Sequence, residues 1–332
     1  WDAGSGSPVS NTDGSITSTV KANPSYGFSI ASYTGNGTAG ATVGHGLSSA
    51  PDMIIVKIRS GFSGGTNWRV YHSALGATQN LRLNTDDAAV SETNKWNDTA
   101  PTSSVFSLGN HVSVNENNAT AIAYCWHSVA NYSKISSYSG TGVSGNAVTG
   151  LGFEPAWLMI KRSDSGGASW RIYDNTRNTS DPRNSLLYPD VNVAEYTAAA
   201  NNVDFDADGF TINGTSGGFN ASGGTYIYMA FADTREAAFW KDVSGQGNHW
   251  TPNNLDYRDS LIDSPANNFA TLNPLDALGS ANTFSEGNLK YVVAAQSAAE
   301  ESRASFGVSS GKWYWEHKLI SSTTTGGYFK VG

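Results

Sequence analysis

Pro51-Asp-Met-Ile-Ile-Val-Lys57 returns about 105 residues downstream as Pro155-Ala-Trp-Leu-Met-Ile-Lys161, and this pair decides the fold. Each copy is a short apolar run between a proline and a lysine, long enough for a strand and too short for a helix. Working outward, Ile30-Ala-Ser-Tyr-Thr-Gly-Asn-Gly37 matches Ile135-Ser-Ser-Tyr-Ser-Gly-Thr-Gly142, and Trp68-Arg-Val-Tyr71 matches Trp170-Arg-Ile-Tyr173. Phe106-Ser-Leu108 answers Phe210-Thr-Ile212, and Thr120-Ala-Ile-Ala-Tyr-Cys-Trp126 answers Thr225-Tyr-Ile-Tyr-Met-Ala-Phe231. The order is kept with small insertions, which marks a tandem duplication. A period of this size is a whole domain, not a solenoid unit.

Within each copy, apolar or alternating runs are separated by Gly, Asn, Ser and Pro, the pattern of strands and turns. In the first copy strands are expected near residues 28–34, 53–58, 68–72, 81–83, 105–108 and 119–127, and the second copy repeats them. Short helices are expected within 88–95 and 193–200. The fold class is all-β: tandem antiparallel β-sandwich domains in series, which would build an elongated rod, with a connector and part of a further sandwich. The divisions are an N-terminal stem (1–25), copy one (26–131), copy two (132–233), an extended connector (234–304) and the start of a C-terminal sandwich (305–332).

Composition narrows the function classes. The 332 residues include 36 Gly and only 14% charged side chains, so Ser, Thr, Asn and Gly must cover much of the surface. The 10 Trp, 15 Tyr and 13 Phe exclude a disordered chain. A net charge of −8, with no basic run, argues against a nucleic-acid partner. No stretch approaches the ~20 apolar residues that cross a bilayer as a helix, so membrane insertion is not expected. Cys125 stands alone, which excludes an intrachain disulfide framework and a Cys-rich metal site. The sequence opens on Trp1 and reads as a segment of a longer chain.

Several motifs tempt. The 35–40 stretch fits G-x-G-x-x-G and recurs at 140–145, yet turn and strand formers follow it where a dinucleotide site needs a helix. G-x-S-x-G occurs at 61–65, 214–218 and 307–311 without opening a helix as a nucleophile elbow must. The histidines His45, His72, His111, His127, His249 and His317 show no metal or triad spacing. Asp204, Asp206 and Asp208 before Gly209 form a candidate calcium loop, but the glutamate such a loop expects is Thr215, so an acidic turn is the commoner reading. No cofactor is expected. A glycosidase would need two carboxylates across a groove; Asp174, Asp181, Asp233 and Glu236 show no pairing in the sequence. Trp68, Trp170, Tyr71 and Tyr173 sit at duplicated strand positions and read as core. Aromatics without an internal counterpart, Trp96, Tyr188 and Tyr196, are the candidate glycan-binding residues.

Tyr33-Thr-Gly-Asn-Gly-Thr38, the 44–57 stretch, Pro101-Thr-Ser-Ser-Val-Phe106 and Pro155-Ala-Trp-Leu-Met-Ile-Lys-Arg162 resemble the paired domains of tail-fibre-like virion proteins of tailed phages, many of them marine. The resemblance continues through Phe239-Trp-Lys-Asp-Val-Ser-Gly-Gln-Gly-Asn-His-Trp250 and Asp263-Ser-Pro-Ala-Asn-Asn-Phe269. Ser310-Gly-Lys-Trp-Tyr-Trp-Glu316 is similar to the opening of SPRY-type sandwiches, and the 242–249 turn to one in concanavalin-like lectins. The resemblance implies a non-enzymatic virion protein, a tail fibre or related appendage, extracellular after release. Its implied partners are a host-surface glycan or other receptor, other virion proteins and two further copies in a homotrimer. A secreted bacterial lectin-like surface or filament protein is the alternative, and a spike depolymerase a third.

Overall fold

The computed structural model describes residues 1–62, 64, 67–233, 270–278, 282–293, 301–305, 307 and 318. The chain divides into two compact units, Trp1–Thr234 and Arg235–Gly332. The first unit holds both copies of the repeat and has the expected all-β, antiparallel character.

Repeat one comprises β1 (Val9–Asn11), β2 (Ser18–Asn23), β3 (Phe28–Thr34), β4 (Ala41–Gly44), β5 (Met53–Ser60), β6 (Arg69–His72), β7 (Gln79–Arg82), β8 (Val90–Ser91), β9 (Val105–Leu108) and β10 (Thr120–Trp126). Single helical turns α1 (Thr93–Trp96) and α2 (Val112–Asn115) flank β9. The main sheet runs β1-β2-β3-β10-β5-β6-β7-β8, and a separate β4-β9 ladder forms the second layer. Residues 1–25, expected as a stem, are therefore corrected: β2 pairs with β3 along six residues and β1 pairs with β2, extending the sheet. Ser18-Thr-Val-Lys-Ala alternates in burial because one side of this outer strand meets the core.

Repeat two comprises β11 (Ser133–Ser139), β12 (Asn146–Thr149), β13 (Pro155–Arg162), β14 (Arg171–Asp174), β15 (Ser185–Leu186), β16 (Tyr196–Thr197), β17 (Val203–Asp206), β18 (Gly209–Ile212) and β19 (Thr225–Ala232), with the helical turn α3 (Gly217–Asn220). Its sheets are β11-β19-β13-β14, β12-β18-β17 and the β15-β16 hairpin. The expected helices shrink to single turns, since 88–95 holds β8 and the start of α1, and 193–200 holds β16 and the start of a 3-10 turn at Ala199–Asn201.

The central strands have no alternation because both of their faces are buried. In β5, Ile54, Val56 and Ile58 enter the core of repeat one with Tyr33, Tyr71, Trp96 and Phe106. In β13, Leu158 and Ile160 enter that of repeat two with Tyr173, Phe210, Tyr226 and Tyr228. The opposite faces meet in a third cluster that joins the repeats: Phe28, Met53, Ile55, Val70, Leu81 and Trp126 from repeat one, and Met159, Trp170, Ile227, Met229 and Phe231 from repeat two. At about 1.5–3 kcal/mol for each large apolar side chain removed from water, this shared cluster contributes as much as a domain interior does.

The glycine turns after β3 and β11 are held from far along the chain. Asn115 is fully buried, donates to the Thr38 and Gly109 carbonyls and accepts from the Asn36 amide. Asn220 repeats this, donating to the Val143 and Gly214 carbonyls and accepting from the Thr141 amide. A side chain on Gly35 or Gly140 would strike the backbone beside these asparagines, with a Cβ 2.3 Å from Glu116 O or 2.1 Å from Ala221 O.

In the second unit, β20 (Leu272–Leu278) pairs with β23 (Glu301–Ala304), and β21 (Thr283–Ser285) pairs with β22 (Lys290–Val292). The stretch expected as an extended connector thus contains two short antiparallel ladders. The SPRY-like motif at 310–316 lies outside the described residues.

Candidate functional site

Repeat one carries an open groove of about 590 Å³ lined by Lys57, Ile58, Arg59, Phe62, Trp68, Ile122 and Tyr124. Strand parity builds it. Lys57 continues the Met53, Ile55 face of β5, and Ile122 and Tyr124 continue the Trp126 face of β10, so the groove is the end of the sheet face whose other end enters the shared cluster. Near-parallel rings lead along it: Trp68 to Tyr124 at 6.4 Å, Tyr124 to Trp126 at 6.2 Å and Trp126 to Phe28 at 5.1 Å, with interplanar angles of 19°, 25° and 27°. Phe28 and Trp126 are buried, whereas Trp68 and Tyr124 are half-buried and Phe62 is exposed. The Lys57 ammonium stands 5.9 Å from the Trp68 ring centroid, and Arg59 is exposed at the rim. Flat apolar rings beside two cations suit a ligand with an apolar face and an anionic group.

Repeat two has the same surface, and it is closed. Lys161, Trp170, Ile227 and Met229 stand where Lys57, Trp68, Ile122 and Tyr124 stand, and all four are at most 1% exposed. The segment 82–89 of repeat one, the loop between β7 and β8, lies over them. The Trp170 indole donates to the Arg82 carbonyl at 2.9 Å, and Lys161 donates to the carbonyls of Asp86 at 3.2 Å and Ala168 at 2.8 Å. Backbone bonds from Ala89 to Ser163 O and from Gly167 to Asp86 O fix the loop, and Leu83 and Ala89 pack on the shared cluster. Burial pushes the Lys161 ammonium down to about 8.

The residues proposed from sequence fall differently. Trp96 is 1% exposed and packs edge-on to Tyr71 at 5.9 Å inside repeat one, so it offers no surface to a glycan. Having no internal counterpart did not make it a surface residue: it fills the interior from a helical turn. Tyr188 and Tyr196 do meet, at 6.3 Å on and beside the β15-β16 hairpin, with Tyr196 49% exposed and Tyr188 half-buried. Trp170, Tyr71 and Tyr173 are core as expected, while Trp68 is divided between core and groove.

The three aspartates of the acidic turn do not converge. Asp204 accepts from Asn213 at 2.7 Å, Asp206 from the Thr211 hydroxyl at 2.8 Å, and Asp208 from the amides of Gly150 and Gly152 at 3.1 and 2.6 Å. Among the described residues no group of three His, Cys, Asp or Glu side chains is placed to hold a metal ion. Of the carboxylates weighed for glycoside hydrolysis, Asp174 binds Arg177, Asp181 binds Arg183 and Asp233 accepts from Asn175. Glu236 lies outside the described residues. Also among the described residues, no helix is long and apolar enough to cross a membrane.

Sequence reasoning passed over Tyr124, Phe62 and the groove itself. One signal was present: on the strand face that carries the matching Ile122 and Ile227, Tyr124 answers Met229, a polar-tipped aromatic where the sealed copy has a flexible thioether.

A family model described as a domain of unknown function, DUF7483, matches residues 1–235. No curated protein and no solved structure matches the chain.

Proposed function

The chain belongs to the DUF7483 family over residues 1–235, and we propose that it is a structural, non-enzymatic protein of the outside of a phage particle, tail-fibre-like, that binds a host-surface glycan. The observation that carries the reading is the Lys57, Trp68 and Tyr124 groove, open in repeat one while its counterpart is built over. Stacking on Trp68 and Tyr124 would hold the apolar face of a sugar ring, and Lys57 and Arg59 favour an acidic saccharide. The resemblance of residues 33–57 and 155–162 to tail-fibre-like proteins supplies the setting, and the other partners are neighbouring virion proteins.

A glycan array and a whole-cell binding assay test this. Trp68→Ala and Tyr124→Ala should each weaken binding to acidic glycans at least tenfold while Tyr196→Ser leaves it intact. Equal binding by all the variants would remove the groove from the reading, and release of reducing ends from a host polysaccharide would make the protein a depolymerase.

A second reading rests on what covers the counterpart. A protein loop seals repeat two, and the matching β15-β16 hairpin of repeat two exposes Leu187, Val191, Val193 and Tyr196. That hairpin is suited to enter the open groove of another copy, an association that closes into a ring or extends as a filament. Concentration-dependent mass by light scattering, lost in Trp68→Ala, would favour assembly over glycan binding.

A further inference from the structure

We propose that repeat two contains a carboxylate-binding site centred on Arg171. The site lies in repeat two and is independent of the groove, which belongs to repeat one.

In repeat one the corresponding Arg69 is 5% exposed, and its Nε and Nη1 are both engaged. Its Nε donates to the Ser113 hydroxyl at 3.0 Å, and its Nη1 donates to Asn80 Oδ1 at 2.8 Å and to the Glu92 carboxylate at 3.3 Å. Glu92 also accepts from Asn80 at 2.9 Å and pairs with the buried Lys95 at 3.3 Å.

Hydrogen-bond register fixes which residues replace these partners. Val70 faces Leu81 as Ile172 faces Leu187, and the pairs Gln79 with Ser91 and Asn80 with Val90 correspond to Ser185 with Thr197 and Leu186 with Tyr196. The Glu92 amide donates to Thr78 O as the Ala198 amide donates to Asn184 O. His111 accepts from the Ser113 amide at the start of α2 as Ser216 does from Gly218 at the start of α3. Arg171 therefore keeps its place while Asn80, Glu92 and Ser113 have become Leu186, Ala198 and Gly218, none with a side-chain oxygen.

The guanidinium is left with unspent donors. Arg171 is 7% exposed; its Nη2 reaches the Ser216 hydroxyl at 3.3 Å and its face lies 4.9 Å from the Phe219 ring centroid, but Nε and Nη1 have no hydrogen-bond partner. The buried hydroxyl of Tyr173, on the same strand, has none either. Burying a charge with idle donors is unfavourable unless an anion meets it. The lost partner that carried charge was a carboxylate, and its place borders solvent: the Glu92 side chain is 28% exposed, and Ala198 is half-buried and stops at a methyl group. A carboxylate arriving from solvent beside Ala198, as a small organic acid or the acid group of a uronic sugar, restores the pairing that Glu92 supplies in repeat one.

The test uses the full chain, with acetate and glucuronate as probes against chloride at equal ionic strength, read by thermal unfolding and calorimetric titration. The parent should show a saturable Tm rise of about 3 °C with either carboxylate. Ala198→Glu, which returns the internal carboxylate, should raise Tm without ligand and abolish the response. A response to glucuronate alone that Ala198→Glu abolishes would assign the site to sugar acids, and a response to both that it abolishes to any small carboxylate. A parent that responds no more than to chloride, or an Ala198→Glu variant that responds as the parent does, would overturn the site. Ala198→Glu keeps the guanidinium in place, so the outcome does not hang on whether an Arg171 variant folds.

Discussion

At the residue scale, the buried polar groups decide how the protein answers to pH. Burial pushes the His72 imidazole down to about 4 from an ordinary 6.5. Between those values the unfolded chain takes up a proton that the folded chain refuses, so stability is complete above pH 6.5 and falls as the pH drops toward 4. The loss attached to this one ring is on the order of 3 kcal/mol. His45 and His111, also lowered by burial, act in the same direction. Thermal unfolding across this range should show the decline, and His72→Asn should make it shallower; an unchanged slope would assign the acid sensitivity elsewhere. Asn115→Ala should lower stability by about 1–3 kcal/mol in a denaturant titration, because two backbone groups of the turn and the Gly109 carbonyl lose their partner. The glycines of that turn were legible in sequence as turn residues. The asparagine that holds them was not, since it comes about 80 residues later and a hydrogen bond across the chain leaves no local period.

At the scale of elements, the strands read from the repeat are those that form, because Pro51 to Lys57 and its echo have a strand's length and turn residues at their ends. What a run such as Met53-Ile-Ile-Val56 does not disclose is which neighbour covers each face. Residues 1–25 were hidden for a related reason: Ser18 to Ala22 alternates, but among Ser, Thr and Lys its apolar positions are few. The β7-β8 loop is the element on which the asymmetry of the two repeats depends. Leu83→Ser should loosen it, quickening hydrogen exchange at the Ala89 and Gly167 amides while leaving the β5 amides protected. Equal exchange at all of these amides would show that Leu83 contributes nothing to the closure. Lys161 adds a pH signature to the same seam. Its folded value near 8 lies below the unfolded 10.5, so the cost of burying its charge is present below pH 8 and is relieved as pH rises between the two.

At the scale of the whole molecule, the duplication was plain in the sequence and the sharing of an interior was not. Trp170 joins both repeats, packing in the common cluster and donating to Arg82 across the seam. Trp170→Ala should cost about 3–5 kcal/mol and lower a single midpoint for residues 1–234, because neither main sheet keeps both faces covered alone. Two separate calorimetric transitions within that unit would contradict a common interior. The candidate site was half legible for the same reason: duplicated tryptophans read as core, which holds for the covered copy and only in part for the open one. The closure of one copy also sets a ratio. Two matching surfaces would suggest two equivalents of ligand, but the loop over Trp170 covers one of them, so a saturating titration of the groove in the Ala198→Glu background should end at one molecule bound per chain.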